Sequence, residues 1–175
     1  MHYVPNGTAT VYRPRIGFKL LVGPPEKAVV TSSVIKCDFR IPPNSTAVFT
    51  HSDVFDEDVR LLSLMPHMHY RGTGAQVFLM HPDGRSETLL NVPRFDPDWQ
   101  LSYEFPEPLL VSKGTRIAIR HEYDNTAKNR HNPDPSIEIR HGNRTSDDMM
   151  INFFDWEPAG SETPATSQGK RRPFR

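Results

Sequence analysis

What this 175-residue chain lacks narrows its reading before any motif does. It holds one cysteine, Cys37, so no disulfide forms within it. That suits a reducing compartment, and equally an exported protein built without disulfides. No apolar run approaches the roughly 18 residues of a membrane-spanning helix. Lys plus Arg and Asp plus Glu stand at 21 each, so the formal net charge is zero. Long-range attraction to nucleic acid or to anionic lipid therefore has no basis. Helical periodicity of 3.6 is not sustained over any window of about 12 residues free of Pro and Gly, which excludes a helical body.

What is present is a series of short alternating apolar runs, with turn signals every 8 to 15 residues or so. Proline is abundant, at 17 residues, and pairs such as Pro24-Pro25 and Pro42-Pro43 break helices. The runs predict strands over Thr10 to Val22, Val29 to Phe39, Ala47 to His51, Asp58 to Tyr70, Ala75 to His81 and Ser86 to Val92. Further strands are expected over Trp99 to Phe105, Leu109 to Val111, Thr115 to Tyr123, Ser136 to His141 and Met149 to Trp156. His81-Pro82-Asp83-Gly84 reads as a tight hairpin turn with Gly84 at positive φ. The fold class that follows is an all-β, antiparallel β-sandwich of jelly-roll type. Asp124 to Pro135 reads as a polar loop rich in Asn, Asp and Pro. Residues 157–175 read as a disordered tail with a basic end. The start, Met1 to Thr8, carries no signal-peptide pattern and reads as a junction inside a longer protein, leaving residues 9–156 as the domain.

The most informative motif is Met65-Pro66-His67-Met68-His69-Tyr70-Arg71-Gly72. Alternate side chains in a strand share a face, so His67 and His69 leave the sheet together and offer two imidazoles to one metal ion. A third ligand is available in Thr145-Ser146-Asp147-Asp148-Met149-Met150. Neighbours in a strand face opposite ways, so only one of Met149 and Met150 can join the pair. Imidazoles with a thioether suit copper, which alternates between soft Cu(I) and harder Cu(II). Two surface histidines in a strand are the plain alternative. Cys37 is expected as a small buried hydrophobe away from His67, and Trp99, Tyr103, Phe153, Phe154 and Trp156 as packing.

The block Leu61 to Gly72, its hairpin, and the stretch from His141-Gly142 through Asp147-Asp148-Met149 to Trp156 resemble the C-terminal domain of copper type II, ascorbate-dependent monooxygenases. That group includes the peptidylglycine α-hydroxylating and dopamine β-hydroxylating enzymes, and the resemblance is nearer to bacterial multidomain proteins. It implies a copper held by His67, His69 and Met149, the methionine that directly follows the acidic pair. It further implies a second copper site, shared with an N-terminal domain, to which His2 of His2-Tyr3 would contribute one ligand. Electrons would come singly from ascorbate, and dioxygen and a small-molecule substrate would meet at the methionine-bound copper. The resemblance also implies an extracytoplasmic location, in the periplasm or at the cell surface, and no activity without the N-terminal copper domain.

Departures from that pattern bear on the substrate. Peptide-amidating members carry arginine where this chain has Met65, and asparagine and tyrosine where it has Ile151 and Phe153. A glycine-extended peptide is thus not the expected substrate, and the apolar replacements point to a more hydrophobic ligand or to no selected substrate. Two other readings remain: a copper-binding sandwich without catalysis, and a cupin-type metal enzyme. The second is weak, because cupins follow the histidine pair with a glutamate that is missing from Tyr70-Arg71-Gly72-Thr73-Gly74. His121, His131 and His141 stand either as partners that orient the metal ligands or as unrelated residues.

Overall fold

The alternating runs pair into two four-stranded antiparallel sheets in a computed structural model, which describes residues 7–20, 22–24 and 28–160. One sheet has the order β1 (Val30–Ile35), β10 (Ile151–Pro158), β4 (Val59–His67), β7 (Tyr103–Val111). The other has the order β3 (Thr46–Val54), β8 (Arg116–Asp124), β5 (Gly72–Met80), β6 (Ser86–Val92). Two short strands, β2 (Arg40–Ile41) and β9 (Ile139–Arg140), pair at one end. Numbering the eight long strands in chain order gives 1-8-3-6 facing 2-7-4-5, which is the winding of a jelly roll. The expected fold class is therefore the observed one.

Inward residues of both sheets form one core. Leu61, Leu64, Met68 and Phe154 come from the first sheet and its extension, and Val77, Leu79, Ile117 and Ile119 from the second. Burying such side chains stabilises by about 1.5–3 kcal/mol each, and Phe55 closes edge-to-face on Phe154 with ring centroids 5.8 Å apart. The β5–β6 hairpin turns as expected, with Gly84 at φ 87° and the His81 N–H donating to the Arg85 carbonyl at 2.8 Å.

Several strand limits differ from expectation. Thr10 to Val22 forms no strand among its described residues, where Ile16, Phe18 and Leu20 stand largely exposed. The segment pairs with none of the described strands, and Pro14 removes a donor. The runs at Trp99 to Phe105 and Leu109 to Val111 are one strand, β7, starting at Tyr103. It takes in Pro106 and Pro108 because it lies at a sheet edge and arches away from β4 between Glu104 and Leu109. Val29 to Phe39 stops at Ile35, and Ser136 to His141 shrinks to two residues. The last strand continues to Pro158, beyond the expected end of the domain at 156. His2, and all of the expected tail from residue 161 onward, lie outside the described residues.

Candidate metal centre

β4 delivers His67 from its last position, and the chain continues extended through Met68 before turning at His69 to Gly72. Met68 is fully buried in the core, so His67 and His69 are directed to the opposite, outer side of the first sheet. Their ring centroids lie 5.2 Å apart with planes 87° to one another. The Gly72 N–H donates to the His69 carbonyl at 3.1 Å, closing the turn. A Cβ at Gly72 would fall 2.6 Å from Met68 Cβ, so only glycine fits this close approach.

Each imidazole is held by its Nδ1. His67 Nδ1 lies 2.6 Å from Gln100 Oε1, while Gln100 Nε2 donates to the carbonyls of Met68 (3.2 Å) and Pro97 (2.9 Å). With its amide nitrogen so committed, Gln100 presents oxygen to His67, and Nδ1 of His67 carries the hydrogen. His69 Nδ1 lies 3.3 Å from the backbone carbonyl of Asp147, an acceptor only. Both rings therefore carry their lone pair on Nε2, the arrangement found where a second partner orients a metal-ligating histidine. Burial lowers the His67 pKa, outweighing the Gln100 hydrogen bond that raises it. The neutral, ligating form is thus favoured.

The methionine arrives through Asp148. This buried carboxylate accepts the backbone N–H of both His69 and Met149 on Oδ1, each at 2.9 Å, and that of Arg71 on Oδ2 at 3.0 Å. One oxygen thus ties the backbone of the histidine turn to that of the methionine. Burial pushes Asp148 up to about 6, against the N–H donors of His69, Arg71 and Met149 that pull it down. Met150 is fully buried in the core, so the half-buried Met149 takes the opposite side, the side of the histidines. Ile151 sits directly opposite His67 in the β10–β4 ladder, and two positions further back along the same strand path lies Met149.

Support comes from two loops. Arg71, fully buried, donates from Nη1 to the Ser146 carbonyl at 2.6 Å and from Nη2 to the Asp134 carbonyl at 3.5 Å. Asn129 Nδ2 reaches the Tyr70 carbonyl at 2.9 Å. The polar loop over Asp124 to Pro135 is thus a brace under the histidine turn. Its own asparagines are locked, with Asn125 Nδ2 bonded to the Pro42 and Ile137 carbonyls. At Gly142 any Cβ would collide with the Asp147 carboxylate, which packs directly against that backbone.

The remaining histidines separate clearly. His121 is fully buried with neither ring nitrogen hydrogen-bonded, and desolvation lowers its pKa to about 3. His141 packs edge-on to Phe39 with centroids 6.3 Å apart. His131 lies with Asp96 and Asp98, ligand atoms all within 4.8 Å. Arg130 already fills that cluster, donating to His131 Nε2 at 3.0 Å and lying 3.8 Å from Asp96. Cys37 is exposed, not buried as expected: it follows the end of β1, where no opposing sheet covers it. Gln100 and Arg71 are the supporting residues that motif reading missed. Gln100 carries no pattern linking it to a histidine 33 positions earlier, whereas the proximity of Arg71 to the pair was a usable signal.

The class that the fold defines is a jelly-roll sandwich, and it carries the half-buried His67 and His69 side by side at the end of one sheet. No family model matches the chain, and no curated protein matches it. Among solved structures it is similar to a chain in "Structure of infectious bursal disease virus Gt strain", with a TM-score of 0.32 and 11% identity. That match covers 78% of this chain and 33% of the other, so the chain spans a third of its neighbour's length. At that TM-score the likeness carries no argument about function.

Proposed function

We propose that the chain is the copper-binding, substrate-side half of a monooxygenase that hydroxylates a C–H bond, with His67, His69 and Met149 as ligands. The observation that carries this reading is the donor chemistry: Gln100 Oε1 and the Asp147 carbonyl face the Nδ1 atoms of two adjacent imidazoles, which makes Nε2 the ligating atom of each. Two neutral imidazoles and a thioether suit copper in both oxidation states, and three protein ligands leave a position open. When bound, copper would supply one-electron chemistry with dioxygen: a C–H becomes C–OH, the second oxygen atom leaves as water, and an ascorbate-type donor provides two electrons and two protons. The protein's part is to hold both rings in one tautomer, to keep His67 neutral by burial, and to fix Met149 through Asp148.

His2, outside the described residues, is assigned to a second copper completed by an N-terminal domain, which makes this half inactive alone. The resemblance of the His67 to Gly72 block and of the acidic pair before Met149 supports that assignment. An extracytoplasmic location belongs to the same proposal. Among the described residues no helix is long and apolar enough to cross a membrane. A copper-binding module without catalysis is the second reading, favoured if the N-terminal partner restores no oxygen consumption.

The test is X-ray absorption and Cu(I) competition titration on the reduced protein in a Cys37→Ser background, because an exposed thiol is itself a Cu(I) ligand. Loss of the sulfur scatterer in Met149→Leu and of affinity in His67→Ala is expected. Unchanged Cu(I) binding in both variants overturns the assignment.

A further inference from the structure

The strand register lays out the surface beside His67 rung by rung. Ile35, Ile151 and His67 form one rung across β1, β10 and β4, and Ser33, Phe153 and Met65 form another two residues along. Side chains in these rungs share the outer face with His67, since Val34, Asn152 and Pro66 between them are buried. Phe153 confirms the side: its ring centroid is 6.1 Å from that of His67. Ile35, at 37% exposed, and the half-buried Met65 and Phe153 therefore form an open apolar strip. It begins at the imidazole and extends over the next rung, about 7 Å away at the usual rise per residue.

Charge is absent from these two rungs. It first appears at Asp155 in the rung beyond, whose carboxylate is already engaged by the Thr31 hydroxyl at 2.5 Å and the Ser63 hydroxyl at 2.9 Å. A ligand carrying a charge beside Met65 and Phe153 would lose hydration with nothing to replace it, whereas an aryl or alkyl group would gain by leaving water.

Resting on the copper reading above, we propose that the substrate presents an uncharged aromatic or aliphatic body, which lies on Met65, Phe153 and Ile35 with the reacting carbon at the His67 end. The strip is open and continuous with the metal ligands, which is what a substrate surface requires. It also gives the half-buried Phe153 ring a task beyond packing.

Three probes of one shape test the claim: 3-phenylpropanol, 3-phenylpropanoate and 3-phenylpropylamine, titrated into the full chain carrying ¹³C-methyl methionine. The neutral alcohol is expected to shift the Met65 methyl and leave Met80, on the other sheet, unmoved. Phe153→Ser should weaken that binding by about tenfold, the loss expected for removing one aromatic contact. Charged probes that bind as tightly as the alcohol overturn the proposal, as does a Met65 signal that none of the three moves. Concentration-dependent changes at Met65 without a probe would make the strip a self-association surface, which also overturns it. Cu(I) titration of the same sample separates the two claims. Copper bound without probe binding defeats the substrate class alone, and probe bound without copper defeats the metal assignment alone.

Discussion

At the level of single residues, the site is controlled by side chains that would never touch the metal. Gln100 orients His67 through one hydrogen bond whose direction is fixed by two others. Gln100→Leu is expected to lower Cu(I) affinity by about 10- to 100-fold, the usual effect of losing an outer partner of a ligating histidine. Chemical denaturation should change little, because Gln100 is only half-buried. His121 is the opposite case, a buried imidazole whose nitrogens meet nothing polar. Unfolded, it titrates near 6.5; folded, only at about 3. Between these values the unfolded chain binds a proton that the folded one does not. Its contribution to stability is therefore complete above 6.5 and is lost as pH falls toward 3. Replacing it by Phe should flatten the stability slope by about 1.4 kcal/mol per pH unit in that window, read from urea midpoints. Asp148, raised to about 6, bends the curve the other way by holding a proton above the usual carboxylate range. The informative quantity is thus the difference between the two proteins.

At the level of elements, the centre is a junction of the histidine turn, the loop before β10 and the polar loop after β8. Asp148 ties the backbones of the first two, and Asp148→Asn replaces one acceptor oxygen with a donor facing N–H groups. A loss of about 2–4 kcal/mol in stability is expected, together with weaker Cu(I) binding. Gly142→Ala acts on the same loop by driving a methyl into Asp147, at a cost of about 1–3 kcal/mol by thermal unfolding. Period-two alternation made the central strands readable, because each buries one face. β5 alternates from Ala75 to Leu79, whereas β8 buries Ile117, Ala118 and Ile119 in succession before alternating. The same rule misplaced a strand at Thr10 to Val22, since alternation reports a face able to be buried and not a neighbour that buries it. Of the metal centre, the His67 and His69 pair was legible from spacing alone. Met149 was named from the resemblance, as the methionine directly after the acidic pair, and Gln100 required the fold itself.

For the molecule as a whole, the jelly-roll winding brings chain segments about 80 positions apart onto one carboxylate, so loading the metal should be coupled to global stability. Cu(I) at a hundred times its dissociation constant is expected to raise the unfolding free energy by about 2.7 kcal/mol, with no rise in His67→Ala. The described residues before Ala28 contribute no strand and little burial. A chain starting at Ala28 should therefore melt within a few degrees of the original.

The prolines of β7 have a consequence at this scale too. An open sheet border is a template onto which another polypeptide can zip, and Pro106 and Pro108 deprive this one of two amide hydrogens where it bows outward. With Leu110 standing exposed on the same strand, the two imino acids add to the exposed Glu104 and Glu107 in guarding that border. Restoring the donors with Pro106→Thr and Pro108→Val should leave the monomer folded yet shorten the lag before thioflavin-positive aggregate forms.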